Sequence, residues 1–212
     1  MKRNLCKGLI ILGALGVTFE PGVSVRAGDL DKKVQRFLES HKDQWKDLNV
    51  PWVDGQTLHD LIVKHKYTRA LEIGTSTGHS TLWIARALAR TGGTVTTLEI
   101  DPERHRQARA NFKEAGVSDY IDARLGDAHE IAKELEGPFD FVFSDADKDW
   151  YTQYLKDVLP KLEVNGCFTA HNVLMHNQGI TAFLEYRGTV AELETTIDKS
   201  SRAGLSISYK RR

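Results

Sequence analysis

Three short stretches of this 212-residue chain carry residue types that could do chemistry together. The first, Asp145-Ala146-Asp147-Lys148-Asp149, follows the apolar run Phe139-Asp140-Phe141-Val142-Phe143-Ser144. Carboxylates crowded at the end of a buried strand repel one another unless a cation joins them. A hard divalent metal is therefore one reading, and a solvated acidic loop is the other. The second stretch, Ala170-His171-Asn172, closes the next apolar run and adds a ring nitrogen and an amide oxygen, so Asp145, His171 and Asn172 could converge on one ion. The third is R-A-L-E-I-G-T-S-T-G-H-S, from Arg69 to Ser80. It reads as a buried strand, a glycine loop and a helix start, the arrangement in which a ligand approaches backbone and a helix N-terminus faces it.

The glycine spacing points away from dinucleotides and phosphates. There is no G-x-G-x-x-G, and no lysine follows Gly78 as a phosphate loop requires. Instead Glu72 stands two residues before Gly74, and Gly78 follows. This E-x-G-x-x-x-G resembles motif I of the class I S-adenosylmethionine (SAM)-dependent methyltransferases. Glu99, at the end of the next strand, lies where a ribose diol would find one carboxylate for two hydroxyls. Asp101, before Pro102, is better suited to capping the helix that follows. Gly126-Asp127-Ala128 ends the third strand, a place suited to flanking an adenine.

The elements that must position these residues alternate regularly. Strands are predicted at 70–74, 94–99, 121–125, 139–145 and 167–170, separated by helices at 80–90, 102–115, 129–136 and 150–159. Two amphipathic helices, 29–45 and 56–66, precede them, with a Pro- and Gly-containing connector between. A helix at 180–186 and a hairpin of strands 194–197 and 205–209 follow. The expected fold is α/β: a Rossmann-like, doubly wound, mostly parallel seven-stranded sheet with a C-terminal antiparallel hairpin.

F-D-F-V-F-S-D-A-D-K-D-W-Y resembles the metal-binding signature of the caffeoyl-CoA and catechol O-methyltransferase family in its bacterial form. L-E-I-G-T-S-T-G-H-S, the L-E-I-D strand end and N-V-P-W-V-D-G-Q are similar to that family as well, in its order and spacing, over residues 48–212. The resemblance implies that Val50 touches the methionine end of SAM and Ser80 its carboxylate. Glu72, Gly74, Thr75 and Gly78 would form the cofactor loop, Glu99 would bind the ribose, and Asp127 and Ala128 would sit by the adenine. It further implies that Asp145, with residues 171 and 172, holds a divalent cation, Mg²⁺ by family, and that Lys148 is the general base. The implied reaction carries a methyl group from SAM to a hydroxyl of a small, catechol-like aromatic. An ion holding two vicinal hydroxyls would acidify and aim the attacking one, and cations around Lys148 would push its pKa down.

This chain has His171 where the family pattern has aspartate. An imidazole favours Mn²⁺ or another transition metal over Mg²⁺. Altered metal preference, weakened activity and a metal-independent relative are all open, and altered preference is the expectation. The run after Asn172 is short, which leaves the acceptor pocket open.

The chain as a whole fits one domain with a short appendage. Lys2, Arg3 and Lys7, the uncharged run 8–19 and Val25-Arg26-Ala27 have a signal-peptide layout, too short for a comfortable membrane span. Residues 1–27 are therefore expected to direct export with cleavage after Ala27, an anchor or a cytoplasmic location being the alternatives, and 28–212 to form the methyltransferase domain. Residues 28–212 hold 25 basic against 28 acidic residues, which disfavours nucleic acid as a partner. Only Cys167 remains outside the leader, so no internal disulfide is expected. The resemblance allows a homodimer. The rival functions are a tRNA-modifying methyltransferase of the same fold and a non-catalytic SAM-binding protein.

Overall fold

The computed structural model describes residues 27–45 and 48–212; the predicted leader, apart from Ala27, lies outside them. Seven strands, β1 (Arg69–Ile73), β2 (Thr94–Glu99), β3 (Ile121–Leu125), β4 (Phe139–Ser144), β5 (Leu162–His171), β6 (Leu193–Asp198) and β7 (Leu205–Lys210), form one sheet in the order β3-β2-β1-β4-β5-β7-β6. β1 to β5 run parallel, and β7 is antiparallel to both β5 and β6. The doubly wound sheet and its terminal hairpin are as the alternation of elements predicts. Strand order reverses between β1 and β4, and such a reversal opens a crevice at the strand C-termini.

Alternation along the central strands divides the core. Ala70, Phe141 and Phe143 face α1 (Ala27–Ser40), α2 (Trp52–His65), α3 (His79–Thr91) and α4 (Pro102–Ala115). Leu71, Ile73, Val142 and Phe168 face α5 (Ala128–Glu134), α6 (Tyr151–Val158) and α7 (Gln178–Thr189). Period-two burial of this kind is what a sheet covered on both faces requires.

The N-terminal helices differ from expectation in a way that matters for the site. α1 stops at Ser40, whose hydroxyl donates to the Phe37 carbonyl, rather than running to 45. α2 begins directly after Pro51, four residues earlier than predicted, because the Pro51 carbonyl accepts from the N–H groups of Asp54 and Gly55 at 3.0 and 3.1 Å. Proline is compatible with a helix start. Gly55 lies against the Trp83 indole, which leaves no room for a Cβ. Asp54 thereby moves from a connector into the first turn of a helix. α1 and α2 cover the outer face of α3, so residues 79–89 are buried all round, and the Arg86 guanidinium on that face pairs with Asp31 of α1 at 2.8 Å. β5 is longer than predicted, starting at Leu162 rather than 167, because its first residues pair with β4 through an irregularity between Phe139 and Phe141.

Candidate active site

A cavity of about 320 Å³ opens at the C-terminal ends of β1, β2 and β4. The sheet's hydrogen bonding continues past the strand ends and fixes its walls. Gly74 and Thr75 N–H groups donate to the Leu98 carbonyl, the Asp145 N–H to Ile73, and the Gly126 N–H to Glu99, at 2.8 to 3.1 Å. Gly74 has φ +102°, and a Cβ there would lie 2.9 Å from Asp145 and Ala146 backbone atoms. Two conditions therefore require glycine at one point.

Of the residues expected to bind the cofactor, Gly74, Thr75, Ser80, Glu99, Asp127, Ala128 and Asp145 line this cavity. Glu99, 6% exposed, accepts from the backbone N–H groups of Ser76 (2.7 Å) and Asp101 (2.9 Å), one on each oxygen. Each oxygen keeps a second lone pair for a hydroxyl. Asp101 caps α4, accepting from Glu103 and Arg104. Asp127 caps α5, accepting from His129. Leu48 and Ile100 present apolar surface to the cavity at 70% and 64% exposure, which an adenine ring would cover.

Three of the expected residues stand behind the wall instead. Val50 is buried in the core cluster on the α1–α4 side of the sheet. Gly78 caps α3 at φ +95°, pressed against the Phe112 ring. Glu72 is fully buried and faces away from the cavity, accepting from the hydroxyls of Ser80 (2.6 Å), Thr97 (2.6 Å) and Thr81. The placement of Glu72 follows from alternation, since residues 70 and 72 share the face of the sheet beneath α3. It also qualifies Ser80. Its hydroxyl hydrogen is engaged by Glu72, so what Ser80 offers a carboxylate is its N–H in the first turn of α3.

Burial pushes the Glu72 carboxyl up to about 7, against the partial opposition of its three hydroxyl donors. The folded chain then holds this proton at pH values where the unfolded chain, titrating near 4.5, has lost it. Linkage makes stability fall as pH rises between those values and level off above the upper one. Urea midpoints should therefore drop from pH 5 to pH 7.5 in the wild type and drop less in Glu72→Gln. A shift of this size corresponds to roughly 3 kcal/mol at most. Equal slopes in the two proteins would refute this account of the buried acid.

The strand ends of β4 and β5 meet as expected, but their partners differ. Asp145 accepts from Lys148 Nζ at 2.6 Å on Oδ1 and contacts His171 Nδ1 at 3.1 Å through Oδ2. The other ring nitrogen of His171, Nε2, lies 2.8 Å from Oδ2 of Asp54, which also accepts from the Ser201 hydroxyl at 2.7 Å. The ring is 2% exposed and Asp54 equally so. Burial alone would lower the His171 pKa, but hydrogen bonds and charges from Asp145 and Asp54 outweigh it and push it up to about 9. Asn172 follows in the left-handed region at φ 60°. Among the described residues no group of three or more His, Cys, Asp or Glu side chains could hold a metal ion. Of the expected ligand set, Asp145 and His171 lie in contact with each other at 3.1 Å, with Asn172 next in the chain. Lys148 has a carboxylate, not a cation, as its closest charged neighbour.

Asp54 and Ser201 were not singled out in the sequence. Asp54 does lie within the quoted N-V-P-W-V-D-G-Q, where a lone acid between two apolar residues and a glycine was the available signal. His129 lines the cavity with its ring stacked 3.7 Å from that of Trp150. His79 is buried beside Trp45, and that burial holds its pKa down to about 4, so it is neutral near pH 7.

A cofactor crevice at the switch point of a seven-stranded sheet, with a glycine loop on β1 and a carboxylate ending β2, defines a SAM-dependent methyltransferase fold. Residues 24–206 match the sequence profile of the O-methyltransferase family, and the chain belongs to that family. A protein of Mycobacterium tuberculosis named catechol O-methyltransferase is 36% identical over 65% of this chain and 62% of its own length. One of Niastella koreensis with the same name is 40% identical over 49% of this chain and 48% of its own. Caffeoyl-CoA O-methyltransferase 1 of Eucalyptus globulus is 34% identical over 73% and 64%. The chain thus spans between about half and just under two thirds of the length of these relatives. The O-methyltransferase of Bacillus cereus, solved with SAH, superposes with a TM-score of 0.75 at 25% identity, covering 85% of this chain and 91% of that one. TomG of Streptomyces achromogenes, solved with SAM, gives the same score and identity over 85% and 90%.

Proposed function

We propose that this chain moves a methyl group from SAM to a hydroxyl of a small, catechol-like aromatic acceptor. One observation carries the reading: Asp145 both lines the cofactor cavity and holds Lys148 Nζ at 2.6 Å. An amine is thus held at the edge of the cavity, where an attacking oxygen would have to be relieved of its proton. SAM supplies the methyl group on a sulfonium, open to in-line attack. Glu99 takes the ribose hydroxyls, Leu48 and Ile100 cover the adenine, and Lys148, having first given up the proton of its resting ammonium form, receives the acceptor proton. The names of the catechol O-methyltransferase relatives support the acceptor class.

The test is transfer from labelled SAM to catechol by the full chain. Labelled product is expected; SAM binding with no transfer to any phenol would leave a SAM-binding protein without this chemistry. In the same preparation Glu99→Ala is expected to weaken SAM binding about 10- to 100-fold, the worth of hydrogen bonds to a charged group. Unchanged affinity by titration calorimetry would remove Glu99 from the ribose site.

The divalent cation that the resemblance attaches to this reaction does not fit the residues present. Both ring nitrogens of His171 face carboxylate oxygens, of Asp145 and of Asp54, so the imidazole has no lone pair left for an ion. No step here is routed through a metal.

We also infer export, supported by the basic start and apolar run of residues 1–19. Fractionation with N-terminal sequencing should find a mature chain beginning at residue 28, and an intact N-terminus in the soluble cytoplasm would refute it.

A further inference from the structure

We propose that His171, clamped between Asp54 and Asp145, stands in place of a divalent cation, so that this acceptor site takes no metal ion. The inference rests on the methyltransferase reading for its significance but not for its geometry. A carboxylate oxygen only accepts hydrogen bonds, and His171 has one within reach of each ring nitrogen, at 2.8 Å from Asp54 and 3.1 Å from Asp145. Both nitrogens therefore donate, and neither keeps a lone pair; a metal-bound imidazole must surrender one of its protons.

The charges balance without an ion. Asp54 and Asp145 supply two negative charges, and the His171 ring and the resting Lys148 ammonium, 2.6 Å from the second oxygen of Asp145, supply two positive ones. The Ser201 hydroxyl donates to Asp54 as well. Freeing the ring for a metal would break one of these bonds in a site where Asp54 and His171 are each 2% exposed, leaving a buried charge unpaired. An aspartate at position 171 would replace one positive charge by one negative, and the cluster would then lack the charge of one divalent ion. On this account the identity of residue 171 decides whether a metal is needed.

The experiment is Mn²⁺ binding to the full chain, followed by electron paramagnetic resonance of the free ion and by thermal melting with MnCl₂ or MgCl₂. Wild type is expected to bind no Mn²⁺ up to about 1 mM and to melt at the same temperature with either salt. His171→Asp is expected to bind Mn²⁺ at least 10-fold more tightly and to gain melting temperature with it. Wild-type binding that His171→Ala abolishes would overturn the proposal, because it would make His171 a ligand backed by Asp54, as in a carboxylate–histidine–metal arrangement. A folded His171→Asp that binds no ion would overturn it too. Should that variant fail to fold, the wild-type measurement decides alone. None of these readouts needs turnover, so absence of methyl transfer would count against the function proposed above and not against this inference.

Discussion

Lys148→Met should lower the rate of methyl transfer about 10²- to 10⁴-fold, the usual worth of a positioned acid–base group, while leaving SAM affinity unchanged. The lysine starts the short helical turn Lys148–Trp150, and its ammonium reaches back to Asp145 at 2.6 Å and to the Ala146 carbonyl at 3.1 Å. Its head also lies 5.0 Å above the Tyr151 ring. Methionine keeps the apolar stem and removes only the nitrogen, so packing against Tyr151 survives. Asp145 retains His171 as a partner. A purely structural role would instead appear as a fall in melting temperature with kcat largely kept. Single-turnover rates and melting curves on the same preparation separate the two, and wild-type turnover in the variant would exclude Lys148 from the chemistry.

Gly74→Ala should cost both stability and cofactor affinity. A side chain at φ +102° carries a backbone penalty of about 1–2 kcal/mol. The added Cβ would also meet the Asp145 and Ala146 backbone at 2.9 Å, atoms that cannot swing aside as a side-chain tip can. The loop must then move away from Asp145, which widens the cavity where the cofactor is to be gripped. Gly92→Ala provides the control, since Gly92 has φ +81° but nothing within 4 Å of its missing Cβ. It should show the conformational penalty alone and bind SAM as the wild type does. Melting curves and calorimetric titration check both variants; equal SAM affinity in the two would mean that the contact with Asp145 does not shape the cofactor site.

Much of this was legible in the sequence, for a definable reason. Gly74, Glu99, Asp127 and Asp145 end successive parallel strands, and a doubly wound sheet brings strand ends together whatever the side chains between them. What depended on register or on helix phase was not legible. Glu72 went behind the wall because its partners, Thr97 across the sheet and Ser80 and Thr81 on α3, are set by strand pairing and helix rotation. Asp54 was missed because a stretch containing proline and glycine reads as a connector, and only the packing of Gly55 on Trp83 explains the early helix start. The contact of His171 with Asp54 was not legible for the same reason, since the two lie 117 residues apart.

The clamp on His171 also bears on the order in which the molecule can be assembled. Its members come from α2, the ends of β4 and β5, and the hairpin loop, with Ser201 and Asp54 147 residues apart. A second tie, Thr57 to Asp198, joins the same helix to the same hairpin across 141 residues. The cofactor cavity, by contrast, is walled by residues 48–154. A chain emerging from synthesis can therefore complete the walls of this cavity while the clamp still waits for its last two strands. Closing loops of that length is slow compared with local pairing. The walls of the cavity are thus encoded early in the chain, and the clamp on His171 exists only once the C-terminus has returned to the first helices.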